Sequence, residues 1–277
     1  GVMEIWHKYY CPLRPPDIGA VPPHPVRVEY VACEVDGRQC HGAVYYDRRL
    51  SAVEVEAYEL LEEEKDMHIF LEHAKRLMVD AESSVVRNVV YFEDGRAYAT
   101  NNTTLLWVDG IVTEKRVVDL ETGKPVESKE LDFRTAIPLV DPKSVFAILS
   151  QQEMSKINAF LFLMEDSFDG YEDVIALIWG DKCFSLEVRN TKIQAQYNVR
   201  NCICPKTAEK IWGTFSLKRF MKLMDYFIAR SVPVKLYGPL TSGKKCSNLL
   251  VRGGNSGGVL APMLNYTGVY DDLENNG

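Results

Sequence analysis

The residues with the clearest chemical potential are basic. Lys218 and Lys222 stand four apart with Arg219 beside them, and Phe220, Leu223 and Phe227 fill the opposite side of the same helical period. A segment of this kind sets an oily side on a core and turns ammonium and guanidinium heads outward, where they can meet phosphates. Lys75 and Arg76 form a second basic pair, diluted by Glu72, while the middle of the chain supplies only Lys143 and Lys156. Contacts to phosphate alone are independent of base sequence and sensitive to salt. The same heads also serve an ordinary solvated helix face, so both readings stay open.

Nucleophilic and metal chemistry have weaker support. Gly254-Asn255-Ser256-Gly257-Gly258 looks like the nucleophile loop of trypsin-like proteases, where glycines let backbone amides line an oxyanion hole. Only 21 residues follow Ser256, too few for the strands and helix such folds need, and His7, His24, His41, His68 and His73 are scattered. A glycine-rich turn between Arg252 and Val259 accounts for the same letters. The expectation is therefore a protein that is not an enzyme. Cys202-Ile203-Cys204 lacks zinc spacing, and no second thiol pair stands near it. Cys33, Cys40 and His41 could converge across a hairpin, although buried thiols are the commoner outcome. His68 and His73, five apart, do not share a helical face. Neither a phosphate loop nor a dinucleotide fingerprint occurs, so no metal and no cofactor are expected.

Composition limits the partners. The chain has 277 residues, 46% hydrophobic, enough for one large domain or two small ones. Lys and Arg number 32 against 39 Asp and Glu, a formal net charge of −7. Any nucleic-acid contact must come from a local basic stripe on an acidic body. No window reaches a membrane span, and no export signal is legible. Seven irregularly spaced cysteines fit reduced thiols in a cytoplasmic protein.

The elements that would position these residues fall into three parts, expected at 1–66, 67–200 and 201–277. Residues 1–66 read as a small module. Six prolines between Pro12 and Pro25 mark an extended arm. Val26–Val31 and Gly42–Tyr46 then make a hairpin around an Asp36-Gly37 turn. Ser51 and Glu54 form a capping box for a helix from about Ala52 to Glu63, and Glu62-Glu63-Glu64 ends it. Trp6, Tyr9, Tyr10, Tyr45, Tyr46, Arg48 and Arg49 suit either a small core with a polar rim or stacking on single-stranded nucleic acid.

Downstream, a helix followed by a meander of strands occurs three times. Phe70, Ala74, Leu77 and Met78 mark the first helix, followed by strands at Val85–Glu93, Arg96–Thr100 and Leu105–Val108 and a return strand near Arg134–Val140. The second helix opens at Asp141-Pro142 with Val145, Phe146 and Leu149 on its face. Strands follow at Ala159–Glu165, Val174–Trp179, Cys183–Arg189 and Ile193–Val199. The third helix is capped by Ser216, with strands at Val232–Tyr237, Ser247–Arg252 and Val259–Met263.

This order resembles the β sliding clamp family of bacterial DNA polymerase III. The likeness is carried by Leu71-Glu72-His73-Ala74-Lys75-Arg76-Leu77, by Val86 through Asp94-Gly95, and by Tyr98-Ala99-Thr100-Asn101-Asn102. Thr214 through Met224 is similar to the family's last helix, Val234 through Pro239 to its next strand, and Val259-Leu260-Ala261-Pro262-Met263 to its terminal strand. Asn101-Asn102-Thr103-Thr104 stands where the family has an acidic-Gly-basic signature, and three units amount to about one and a half clamp domains. The resemblance implies an α+β, DNA-clamp-like body of amphipathic helices on antiparallel sheets. It implies a role in DNA replication, with Lys218, Arg219, Lys222, Lys75 and Arg76 meeting double-stranded DNA. It further implies a partner site at Val259, Leu260, Pro262 and Met263 for short hydrophobic peptides, and a homo-oligomer. A protein-interaction or self-assembly module that keeps the fold without DNA binding is the competing expectation.

Overall fold

A computed structural model describes residues 7–35, 37–79, 88–111, 114–140, 145–168, 173–180, 183–200, 202–203, 210–238, 245–265 and 268–275. The expected turn residue Asp36, the helix opening at Asp141-Pro142, Lys143 and Cys204 fall outside them.

Residues 7–63 build a four-stranded sheet around two buried tyrosines. Its strands are β1 (His7–Tyr10), β2 (Arg27–Glu29), β5 (Ala43–Tyr46) and β6 (Leu61–Glu62), in the order β2-β5-β1-β6. β3 (Cys33–Val35) and β4 (Arg38–Cys40) form a separate small hairpin between β2 and β5. The expected pairing of residues 26–31 with 42–46 is present. Tyr9 and Tyr46 meet edge to face at 6.0 Å. Their hydroxyls are not wasted: Tyr9 accepts from the Leu50 amide and Tyr46 donates to the Pro22 carbonyl. The Ser51–Glu54 capping box starts α1, which spans only Ala52–Ala57. The helix expected to reach Glu63 stops early because the chain turns into β6, and Glu63 is claimed by Lys8 and the Tyr10 hydroxyl.

The rest of the chain is a layered body. α2 (Glu64–Met78) leads into β7 (Val89–Glu93), β8 (Arg96–Thr100), β9 (Thr104–Asp109) and β10 (Arg116–Asp119). A short helix, α3 (Phe133–Ala136), follows where a return strand was expected. Asp132 caps it by accepting from the amides of Arg134 and Thr135, and Phe133 packs on Tyr91 and Tyr98. The return strand is β10, which pairs with β7.

Two copies of one motif complete the body. The first is β11 (Val145–Leu149), α4 (Gln151–Glu165), β12 (Val174–Gly180), β13 (Cys183–Arg189) and β14 (Gln194–Val199). After the short β15 (Cys202–Ile203) comes the second: β16 (Ile211–Ser216), α5 (Leu217–Arg230), β17 (Val234–Tyr237), β18 (Leu249–Gly253) and β19 (Ser256–Leu260). The copies exchange their first strands across the boundary expected near residue 200. β11 pairs with β17 of the other copy, and β16 pairs with β12. The result is a four-stranded sheet, β14-β13-β12-β16, and a nine-stranded sheet, β10-β7-β8-β9-β19-β18-β17-β11-β15, joined at β9–β19. All the named pairs are antiparallel.

The expected second helix is thus corrected. Val145–Leu149 is a strand, and residues 159–165, expected as a strand, are the last two turns of α4. Ser150 supplies the cap by accepting from the Glu153 amide at 3.2 Å. One continuous core lies between the helices and the two sheets, gathering Phe70 and Leu77 of α2, Met154, Ile157 and Leu161 of α4, and Phe220, Leu223 and Phe227 of α5. Burial of a Leu or Phe side chain contributes about 1.5–3 kcal/mol, so the three oily faces dominate the stability of this layer. A short segment, α6 (Asp271–Asn275), lies beyond β19. No helix among the described residues is long and apolar enough to cross a membrane.

Candidate functional site

The three long helices lie side by side, with α5 in the middle and antiparallel to both neighbours. Polar contacts near both ends of α2 join the packing of Phe70 and His73 on Tyr226 in holding it against α5. Arg230 pairs with Asp66 at 3.0 Å near one end, and Lys222 Nζ donates to the Arg76 carbonyl at 3.4 Å near the other. α4 is tied to α5 by Gln151 donating to the Ile228 carbonyl at 2.9 Å, and by Asn158 donating to the Met221 carbonyl and to Asp225 Oδ1. The first turns of α5 therefore lie beside the last turn of α2.

This arrangement brings the five expected basic residues to one end of the helical layer. Lys75, Arg76 and Lys218 are exposed, while Arg219 and Lys222 are half-buried. Cations at the end of α2 also face the negative pole of that helix, which favours their placement. Arg76 is not idle. Glu72, one turn earlier, accepts from its guanidinium at 2.8 Å, an exposed pair of the kind that contributes at most about 1 kcal/mol.

The amides at the start of α5 are capped by two residues that are not basic, Ser216 and Asp173. Ser216 Oγ accepts from the Arg219 amide and donates toward the buried Asp173 carboxylate, 3.0 Å from either oxygen. Asp173 in turn accepts from the Lys218 amide at 2.8 Å, and its carbonyl accepts from the Leu217 amide at 2.7 Å. A carboxylate here matches the positive end of the helix. The leading amides of α5 are thereby used inside the protein. The surface therefore offers side-chain heads rather than a bare helix terminus. Asp173 carried no signal in the sequence, because its role depends on a partner 43 residues away.

The outward side of α4 is different in kind. Lys156 pairs with Glu153 at 3.5 Å, and Phe162 and Leu163 are exposed.

The four expected partner residues are not on one surface. Val259 and Leu260 lie in β19, flanked by β9 and β18. Val259 is buried beside Trp107 and Leu260 in the main core. Pro262 is exposed and Met263 half-buried. Met263 is held by Thr214, whose carbonyl accepts from its amide and whose hydroxyl donates to its carbonyl.

The Gly-Asn-Ser-Gly-Gly run is a turn and a strand. Gly254 and Asn255 make the β18–β19 turn, with Gly254 at a φ of +57°. Ser256 is buried; its hydroxyl shares a 2.7 Å hydrogen bond with Tyr226 and accepts from Arg230. Gly257 is required by packing. A Cβ there would stand 2.0 Å from Trp107 Cζ2. Cys33 and Cys40 do face each other across β3–β4, yet no group of three metal-ligating side chains exists among the described residues.

Comparison with solved structures identifies the architecture. A sliding clamp from Caulobacter crescentus is matched with a TM-score of 0.55 at 14% identity, over 72% of this chain and 64% of that one. DNA polymerase III subunit beta from Pseudomonas aeruginosa gives 0.53 at 12%, over 72% and 65%. The subunit from Borrelia burgdorferi, in complex with a natural product, gives 0.54 at 12%, over 72% and 62%. The body has the sliding-clamp fold. It spans less than two-thirds of the length of those clamps, and the low identities make it a partial and divergent version. A family model described as "Defence against restriction A C-terminal" matches residues 4–65, the small module ahead of the clamp-like body. No curated protein sequence gives a significant match.

Proposed function

We propose that this chain is a non-catalytic, clamp-like protein that holds double-stranded DNA without sequence preference. The observation that carries the reading is the convergence of Lys75, Arg76, Lys218, Arg219 and Lys222 at one end of the helical layer. They come from two helices far apart in sequence, in a fold shared with polymerase clamps. Flexible cations on rigid, core-packed helices suit phosphate contact without base readout. The match of residues 4–65 to a family named for defence against restriction supports a setting of that kind for this DNA contact. The three units of the chain, 1–66, 67–200 and 201–277, then divide the work. The module supplies the defence-specific part, and the other two supply a scaffold that positions DNA and recruits partner peptides near Pro262 and Met263.

The test is retention of a short duplex at low ionic strength. Wild type is expected to retain it and to release it as salt rises. Lys75→Glu with Lys218→Glu, both exposed, is expected to abolish retention while leaving the thermal transition in place. Absence of wild-type retention at low salt overturns the reading.

One observation favours the second reading, a protein-interaction or self-assembly module. Phe162 and Leu163 expose apolar surface on α4, where a helix facing DNA would carry cations. Light scattering separates the two readings. A homo-oligomer that Phe162→Ser with Leu163→Ser dissolves, together with no duplex retention, supports assembly alone.

A further inference from the structure

In the four-stranded sheet β14-β13-β12-β16, strand β12 is apolar on both faces, which a strand with one solvated side does not require. Along β12, Ile175, Leu177 and Trp179 enter the main core, while the alternate residues Val174, Ala176 and Ile178 join Trp212 of β16 on the opposite face. That second face is closed by the short segment 268–275. Tyr270 and Leu273, one helical turn apart, are the two buried anchors, with Val269 and Met263 packed at their edge.

The way this segment is held is that of a bound peptide. Among the described residues, its backbone-to-backbone hydrogen bonds stay within 265–273: Gly268 to Asn265, Asp271 to Gly268, and Leu273 to Tyr270. No ladder ties it to the sheet. Side chains do the holding. The Tyr270 hydroxyl accepts from the Arg189 amide at 3.0 Å and lies 2.9 Å and 3.1 Å from the Glu187 and Val174 carbonyls. Arg189 donates to the Val269 carbonyl at 3.1 Å and to Asp272 Oδ1 at 2.5 Å. Its guanidinium also holds the Asp272 carboxyl below the usual carboxylate range. Two buried apolar anchors, one hydroxyl reading backbone groups and, at the rim, a guanidinium shared between Glu187 and Asp272 are the parts of a peptide-recognition site.

We propose that the outer face of the four-stranded sheet, around Trp212, Val174, Ile178 and Arg189, is a docking site for an acidic helical turn of the pattern Tyr-acid-acid-Leu presented by a partner protein, and that the chain's own residues 268–275 occupy it in cis. The segment seated there supplies the recognition chemistry: an aromatic hydroxyl, a leucine three residues on, and a carboxylate for Arg189. The site lies on the far side of the sheet from the helices, so it stands or falls separately from the DNA reading. It differs from Val259 and Leu260, which are core. A tethered segment competes at an effective concentration on the order of millimolar, so a partner must present the motif at high local concentration or arrive already tethered.

The test uses the full chain and a fluorescent synthetic peptide of residues 268–275. Tyr270→Ala with Leu273→Ala in the chain removes the cis anchors and is expected to bind the peptide at least tenfold more tightly than wild type. A peptide carrying Tyr270→Ala is expected to lose that binding. Hydrogen exchange on the wild-type chain gives a readout that does not depend on the double variant folding. Saturating peptide should speed exchange at the Asp271 and Leu273 amides of the chain by displacing the turn. A folded double variant that ignores the peptide, or wild-type exchange unchanged at millimolar peptide, overturns the proposal. So does concentration-dependent dimerisation of wild type through exchanged 268–275 segments, which would make a second copy the occupant. Duplex retention measured in parallel reports on the DNA reading alone.

Discussion

Lys222 of α5 caps the end of α2, its ammonium 3.4 Å from the Arg76 carbonyl. The contact does two things. It gives a helix-terminal carbonyl a donor, and it holds one basic side chain beside the backbone of another. Basic residues 146 positions apart thus act as one surface.

The Glu72–Arg76 pair implies that this surface is partly neutralised in the resting protein. Glu72→Gln removes a negative charge one turn from Arg76 and frees the guanidinium. Duplex retention is expected to tighten several-fold at low salt, with the gain fading as ionic strength rises. Unchanged or weaker retention across a salt series would show that Arg76 does not face DNA.

Gly257 tests whether the glycine run is packing rather than chemistry. The Gly257 Cβ position coincides with the Trp107 ring, which is buried and has no room to retreat. Gly257→Ala is expected to cost about 3 kcal/mol in urea unfolding, the upper range for overpacking a core. A loss below about 1 kcal/mol would mean that β9 and β19 can part without penalty.

His73 gives the protein a pH dependence of definite sign. Burial beside Tyr226 lowers its pKa below 6.5, and Arg76 adds to the shift while Glu72 and Asp225 oppose it. The native imidazole therefore resists a proton that the unfolded chain accepts below about pH 6.5. Stability should fall as pH drops through that value, by up to about 1.4 kcal/mol per unit for one proton. His73→Phe should lessen the drop in melting temperature between pH 7.5 and 5.5. A drop of unchanged size would assign the dependence to other groups, His7 among them.

α5 was legible in the sequence because its signals agree. Ser216 caps it, and Phe220, Leu223, Met224 and Phe227 recur at helical spacing and are all buried. α4 was not, for a physical reason. Its apolar residues include the buried Met154, Ile157 and Leu161 but also the exposed Phe162 and Leu163, so the period that separates an inner from an outer side is blurred. The overlooked cue was Ser150 with Glu153 three residues on, the spacing already recognised at Ser51 and Glu54. β16 was missed because its six residues run directly into α5 and are all buried, leaving no alternation to detect. The basic cluster was legible residue by residue, but its convergence was not, since the Lys222–Arg76 contact is a tertiary fact. Tyr270-Asp271-Asp272-Leu273 carries no helical stripe of its own in the sequence; its two anchors become visible only once the second apolar face of β12 is seen.

The strand exchange between the two motifs constrains how the body can be made. Ile148 in β11 pairs with Lys235 in β17, and Val174 in β12 with Ser216 in β16. Neither motif can close its own sheet. On a ribosome, β11 would emerge early and stay unmatched until β17 left the exit tunnel. Such delayed, long-range pairing makes for slow folding and leaves an adhesive edge exposed during synthesis. Splitting the gene between the motifs should therefore yield two insoluble halves that become soluble only when produced together.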